Sequence, residues 1–351
     1  MAEMPTDANP PPHACQRRTR TIDGCRQLIA LARVREWIFS KIVFAVVGIV
    51  LLGDGSMIGQ SLAIVIGTMA LMAFGFGINE IADESTDLRA GKGSRAAELP
   101  EWLGRAFLGL AALTTVGAAI RAKPDSLSVG LALVYLLIAW QYSCTPLRLK
   151  ERGLWGIVAA ALAQWTFPVA MIYACGNRGV PSPAIACFGC LSLALGIRWE
   201  GIHQSADLAS DHRAGVTTFT ASGGNATRLV HWSYIVELAF GVGTWASLWN
   251  DSRVPAVAFM LWCAFVPFLT AIRGMPFPEQ IMRYDTEPLG PFYFRALPLA
   301  LFLQAQLGWK TVPAAVAAVT LAVLTKILPR RRDPSMPCGA KAPPRSAERP
   351  E

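Results

Sequence analysis

Hydrophobic residues in this chain come in long unbroken runs, without the alternation of a half-buried strand or the one-sided stripe of a soluble helix. The runs fall near 37–53, 60–80, 104–120, 127–142, 155–175, 183–202, 229–249 and 255–273. A membrane-spanning helix needs roughly 20 largely apolar residues. In lipid only helices and closed barrels satisfy all of their own backbone groups. A last apolar stretch, 292–328, is interrupted at Gly308, Trp309 and Lys310 and reads as one broken span or two short ones. The pattern therefore predicts an all-α, polytopic transmembrane helical bundle of nine or ten helices. Segment 153–173 has no polar face, which argues against an unusually apolar soluble protein.

Composition agrees. Of the 351 residues 53% are hydrophobic and 16% charged, against about a quarter charged in soluble domains. Lysine and arginine gather before the first run, as at Arg26, Arg33 and Arg35, and again after the second, fourth and sixth. If each run crosses once, these segments share one side, assigned to the cytoplasm. Lys326, Arg330, Arg331 and Arg332 ask for the same side and so for an even number of crossings. The net charge of +8 then reflects topology and lipid headgroups, with the bilayer as partner. Nucleic-acid binding would need a basic soluble face with stacking aromatics, which the chain lacks. The eight cysteines form no disulfide framework, and Cys187 and Cys190 read as buried apolar thiols. Tryptophans 37, 102, 155, 245 and 249 lie near run ends, as an interfacial belt would. Residues 1–30 and 330–351, polar and proline-rich, are expected to be disordered tails around one domain at 31–329.

Two acidic motifs stand out. Asn79, Asp83 and Asp87 follow the second run at i, i+4 and i+8, one helical face. Asp207 and Asp211 follow the sixth run in the same way. Two four-helix units, each with its motif after the second helix, would bring both motifs to one mouth of the bundle. Carboxylates near membrane depth are expensive unless they face a polar cavity or a cation. Hard oxygen donors suit Mg²⁺, which takes one or two carboxylates and completes its shell with water and phosphate oxygens. A magnesium–diphosphate complex would supply the charge that four aspartates need. Magnesium would make the diphosphate a better leaving group, and apolar walls would shield an allylic cation from water. Arg148, Lys150 and Arg213 could stabilise the departing diphosphate, with Arg89, Lys92 and Arg95 as further candidates.

These residues resemble the signatures of the UbiA-type intramembrane prenyltransferase superfamily. Asn79-xxx-Asp83-xxx-Asp87 is similar to its NxxxDxxxD motif. Asp207-xxx-Asp211, continued by Arg213, Gly215, Thr217 and Thr218, resembles its second DxxxD segment. The stretch from Tyr142 and Ser143 through Pro146, Arg148 and Lys150 to Gly153 resembles its YSxPPxRLKxxG loop. The resemblance implies nine transmembrane helices, a central cavity and catalysis at the cytoplasmic mouth. Asn79, Asp83, Asp87, Asp207 and Asp211 would hold Mg²⁺ and a prenyl diphosphate, with Arg148 and Lys150 on the diphosphate. The chain departs from the pattern at Glu80, at Cys144-Thr145 and at His203, where many members carry Asp, a small residue with proline, and Tyr.

His203, Arg198 and Glu200 sit late in the sixth run and are candidates to support the cluster or an acceptor; snorkelling to the interface explains Arg198 and Glu200 equally well. Prenyl transfer to an aromatic or other nucleophilic acceptor leads. A terpene cyclase on the same scaffold is the alternative, disfavoured because such cyclases often have a small residue where this chain has Asp83. A non-catalytic transporter would have no use for five metal-facing groups. Acceptor identity and prenyl length are not legible in runs of Ala, Leu and Val.

Overall fold

The computed structural model describes residues 24–52, 58–89, 94–97, 99–175, 182–250, 252–274, 276–283, 289–308 and 310–327. Its long helices follow the apolar runs. They are α1 (34–52), α2 (Ile58–Arg89), α3 (Glu101–Ala122), α4 (Ser126–Ser143), α5 (154–175), α6 (Ser182–Ala214), α7 (Ala226–Ser247), α8 (Val254–Arg273), α9 (292–307) and α10 (Thr311–Ile327). No strand occurs among the described residues. Among the described residues six helices (α2 to α6 and α8) are long and apolar enough to cross a membrane. The chain is an integral, multi-pass membrane protein. Large apolar side chains such as Phe39, Leu110 and Leu113 lie open on the outer surface, a cost in water but the natural solvent contact of a bundle in lipid.

The final run is two helices. Gly308 adopts a left-handed φ of 63° and ends α9, and α10 turns back to pack on α9 and α8. At the other end, the tail expected to run to residue 30 stops sooner. Residues 24–31 are helical, because Leu31 and Ala32 find buried positions. The remaining tail segments, 1–23 and 328–351, lie outside the described residues.

Helices α2, α3 and α4 pack together, α6 packs between α5 and α7, and α8, α9 and α10 form a third group. Small residues set the closest approaches. A Cβ on Gly196 of α6 would meet Ala161 Cα at 2.8 Å and Trp165 Cδ1 at 2.7 Å on α5, so only glycine lets these helices touch there. One apolar cluster joins α1 to α5 through α10 around Phe44, Trp165, Phe188 and Phe292. A smaller one joins α1, α2, α4 and α5 around Trp37, Met72 and Tyr135. Trp37 and Trp245 belong to these cores and correct the expected belt; Trp37 Nε1 donates to Ala32 O at 2.6 Å. Trp102 and Trp155 are exposed as an interfacial belt requires. Cys190, expected buried, is exposed, and both it and Cys187 are free thiols.

Among the described residues three π-helical turns interrupt the α geometry: Ile38–Ile42 in α1, Leu162–Thr166 in α5 and Phe292–Ala296 at the start of α9. Each widens the helix locally and re-aims its side chains, a device common at functional sites. The first two carry Lys41 and Gln164 to the wall of the same cavity.

Candidate active site at the mouth of the bundle

The two acidic motifs owe their position to helix length. At 1.5 Å per residue, α2 with 32 residues and α6 with 33 extend about 48 and 50 Å, well beyond a hydrocarbon core of about 30 Å. Both motifs occupy the C-terminal turns of these helices. There the carboxylates escape the lipid while their helices remain anchored in it.

The loop between α4 and α5 delivers the cations. It contains a cis Thr145-Pro146 bond and places Arg148 in the left-handed region at φ 41°. A residue with a Cβ spends roughly 1–2 kcal/mol there, and such positions concentrate at functional sites. The 3₁₀ turn Leu149–Glu151 follows. It seats the Lys150 ammonium directly on Asp83 Oδ1 and 3.5 Å from Asn79 Oδ1. Arg148 Nη2 stands 3.5 Å from the same Asp83 oxygen, and Ser143 Oγ donates to Asn79 Oδ1 at 3.1 Å. Lys150 is buried because α5 comes up tightly beneath it. A Cβ on Gly156 would lie 2.7 Å from Leu149 O and 2.9 Å from Lys150 Cα.

On α6, His203 Nε2 lies 3.5 Å from Asp207 Oδ2, one turn apart. The chain after Asp211 reverses at Gly215, φ 68°, so Thr218 Oγ1 donates to Asp211 Oδ2 at 3.0 Å. Thr220 Oγ1 donates to Gln204 O at 3.0 Å. These contacts explain the Gly and Thr that trail the second motif. They turn the loop back onto the helix end and orient one carboxylate.

Between α1, α2, α4, α5 and α6 lies a cavity of about 400 Å³. Met72, Phe76, Ala163 and Trp165 give it an apolar interior, and Asn79, Glu200 and His203 line its polar part. Asp83, Asp87, Asp207 and Asp211 stand past it, on the turns that follow Asn79 and His203. Glu200 Oε1 accepts from Tyr142 OH and Gln204 Nε2, both at 3.4 Å. Among the described residues no three His, Cys, Asp or Glu side chains converge on one metal-sized point. The oxygen donors instead form two half-sites on two helices. That suits a hard cation which takes one or two carboxylates per ion and leaves coordination positions for a ligand's oxygens.

The structure thus brings Asn79, Asp83, Arg148 and Lys150 together, pairs His203 with Asp207, and puts Glu200 on the cavity wall. Asp87 is half-buried one turn beyond Asp83, and Arg213 is exposed at the end of α6. Arg198 points elsewhere. Its Nε and Nη2 reach Glu237 of α7 at 2.6 and 3.2 Å in a fully buried pair. It is a helix-to-helix tie, which corrects its candidacy for an acceptor, because position 198 falls on the α7 side of α6. Arg95 pairs with Glu80 at 3.0 Å and Glu36 at 3.5 Å. Lys92 and the Arg89 side chain lie outside the described residues. Sequence reasoning missed Lys41, Arg33 and Glu36, all of which line the cavity. Lys41 left a signal, a lysine inside the first apolar run.

Known structures share this architecture. A UbiA homolog from Archaeoglobus fulgidus bound to GPP and Mg²⁺ is similar with a TM-score of 0.53 and 15% identity, covering 86% of this chain and 98% of that one. The apo structure of a UbiA homolog from Aeropyrum pernix K1 gives 0.54 and 14%, covering 84% and 99%. A structure of digeranylgeranylglyceryl phosphate synthase gives 0.51 and 14%, covering 86% and 94%. No curated protein matches the chain's sequence significantly. The signature of the UbiA prenyltransferase family, however, spans residues 41–275, from the cavity-facing turn of α1 through both acidic motifs to the end of α8, and the chain belongs to that family.

Proposed function

We propose that the protein is a Mg²⁺-dependent membrane prenyltransferase that ionises an allylic prenyl diphosphate and passes the prenyl group to a nucleophilic acceptor. The observation that carries this reading is the Lys150–Asp83–Asn79 constellation set against the apolar cavity. Asn79, Asp83 and Asp87 would hold one Mg²⁺ and Asp207 and Asp211 another. When bound, the cations draw charge from the diphosphate and make it a leaving group. Lys150 and Arg148 both pair with Asp83. On binding, both side chains are in place to turn from Asp83 to the diphosphate oxygens and stabilise the charge that develops as the C–O bond breaks. Arg213 is a further candidate at the rim. Met72, Phe76 and Ala163 would keep water from the prenyl cation, and Glu200 and His203 face the place where an acceptor would attack. Lysine and arginine before α1 and after α2, α4 and α6 support a cytoplasmic mouth.

A cyclase would use the same ionisation. Asp83 favours transfer, because such cyclases often have a small residue at that middle position of the first motif. The test is an assay of membranes containing the full chain with labelled geranyl, farnesyl and geranylgeranyl diphosphates, with Mg²⁺ or EDTA and no added acceptor. Mg²⁺-dependent release of diphosphate with a linear prenyl alcohol is expected. A cyclic hydrocarbon would make the protein a cyclase, and Mg²⁺-independent or absent release would defeat the reading.

A further inference from the structure

Three helices of the cavity wall give it the same depth. Its lining runs from Met72 to Asn79 on α2, from Tyr135 to Tyr142 on α4 and from Gly196 to His203 on α6, a span of about 10 Å on each helix at about 1.5 Å per residue. The end away from the mouth is a floor of packed side chains. Met72 and Tyr135, both 1% exposed, pack with Phe167 in the smaller core. The Tyr135 ring stands edge-on to Phe167 at 5.6 Å, and its hydroxyl donates to Leu71 O at 2.9 Å. Gly75 leaves room for that bond, since a Cβ there would lie 3.1 Å from the hydroxyl oxygen. On the α9 side the lining residues Trp165 and Trp199 are backed by Phe294, with ring centroids 5.9 and 5.6 Å from it. Beyond the floor a second void of about 10 Å³ lies between α2, α3 and α5, against Gly67, Thr68, Ala118 and Met171. The floor between the two spaces is thin: Leu71 and Pro168, which line the second void, adjoin Met72 and Phe167 in sequence.

We propose that Tyr135, braced by Met72 and Phe167, is the floor that limits the prenyl donor to two isoprene units, an inference that rests on the prenyltransferase reading and adds the donor's length to it. In that reading the diphosphate is held past Asn79, on Asp83 and the turns beyond, so the tail enters the cavity at the level of Asn79. An isoprene unit contributes four chain bonds of about 1.5 Å and advances about 5 Å when extended. Two units therefore reach the floor, and the further units of a farnesyl or geranylgeranyl tail have no room above it. A longer tail must leave its last units in the polar mouth, where their apolar surface is not withdrawn from water, or push Tyr135 aside. The second course breaks the bond to Leu71 O and strands a hydroxyl among apolar side chains. Met72 alone would be a soft floor, because its thioether chain adapts to what presses on it. The hydrogen-bonded ring makes the stop firm. Tyr135 in this role is a specificity-determining residue; the diphosphate chemistry stays with Asn79, Asp83 and Lys150.

The measurement is equilibrium binding, with Mg²⁺, of the labelled S-thiolodiphosphates of geranyl, farnesyl and geranylgeranyl to the full chain in nanodiscs, with binding to empty nanodiscs subtracted. It uses the wild type, Tyr135→Phe, Tyr135→Ala and Met72→Ala, and Mg²⁺-dependent release of diphosphate from the three natural diphosphates is recorded in parallel. The wild type should bind the geranyl probe about 10-fold or more tighter than the geranylgeranyl probe. Tyr135→Phe keeps the ring and should keep that preference. Tyr135→Ala joins the two spaces and should bring the geranylgeranyl probe level with the geranyl one. Met72→Ala, which keeps Tyr135 and its bond, should improve farnesyl relative to geranyl by about 3- to 10-fold. Equal binding of the three lengths by the wild type overturns the proposal, as do length ratios that neither Tyr135→Ala nor Met72→Ala changes. If Tyr135→Ala loses the geranyl probe as well, it has lost the fold, and the farnesyl ratio of Met72→Ala decides alone. Absence of diphosphate release from the wild type with all three donors is a separate failure, of the prenyltransferase reading.

Discussion

The tight seat of the Lys150 loop on α5 makes Gly156 a lever on the site. Gly156→Ala would put a Cβ 2.7 Å from Leu149 O, 2.9 Å from Lys150 Cα and 3.0 Å from Lys150 O. All three are backbone atoms, so no side chain can rotate out of the way. Restoring an ordinary 3.4 Å contact requires a shift of about 0.7 Å, and the loop, being the lighter partner, takes most of it. That lifts Lys150 and Arg148 off Asp83. Overpacking of this kind costs about 1–3 kcal/mol in stability, and a misplacement near 1 Å costs about 10²-fold in rate. We expect Gly156→Ala to fold in membranes and to release diphosphate from geranyl diphosphate about 10- to 100-fold more slowly, with kcat carrying the loss. Gly130→Ala is the control. It lies inside α4 with nothing within 4 Å of its added Cβ and should leave activity unchanged while gaining about 0.5–1 kcal/mol from helix propensity. If Gly156→Ala turns over within a factor of two of the wild type, the close approach does not position Lys150 and the argument fails.

Other outcomes follow from the same structure. Asp83→Ala or Asp207→Ala should abolish Mg²⁺-dependent release while the protein stays folded, and wild-type turnover in either variant would sink the metal half-sites. Glu237→Ala leaves the buried Arg198 guanidinium without its carboxylate and should cost about 3–5 kcal/mol; thermal unfolding in detergent checks this, and a loss below about 1 kcal/mol would show that the pair is not a tie. Asp125 caps α4 by accepting from Ser128 N at 2.8 Å, which, with Lys123 beside it, holds its carboxyl at about 2, below the usual 3.8. A lowered value in the folded state means that the carboxylate stabilises above pH 3.8 and that this contribution fades as pH falls through about 2. Melting temperatures across that window should therefore drop more for the wild type than for Asp125→Asn, and parallel curves would refute the cap.

Much of this was legible in the sequence because membrane burial and helical period are local signals. Apolar runs located the helices, and the four-residue spacings of Asn79, Asp83 and Asp87 and of Asp207 and Asp211 marked candidate residues that the structure carries on the last turns of α2 and α6. His203 beside Asp207 followed from the same i, i+4 geometry. Contacts between distant segments were not legible. Arg198 and Glu237 are 39 positions apart and meet only because α6 packs on α7, and period alone does not say which side of α6 meets which neighbour. Lys41 was visible as an intramembrane charge but not as a cavity wall, because π turns leave no fixed residue pattern and it is the turn that aims the side chain. Gly308 was visible as an interruption, but whether it bent the helix or ended it depended on its left-handed φ.

The three π turns bear on how this chain can change over generations. A π turn is an α-helix with one residue too many, so deleting a residue within Ile38–Ile42 leaves a sound helix. The wide turn absorbs the extra residue, so the helix on either side of the deletion keeps its phase and only the side chains within the turn are re-aimed. Such a deletion would not unfold the bundle, but it would move Lys41 off the cavity wall. The cavity can thus be re-lined by single insertions and deletions inside its helices, a route that leaves both acidic motifs in place.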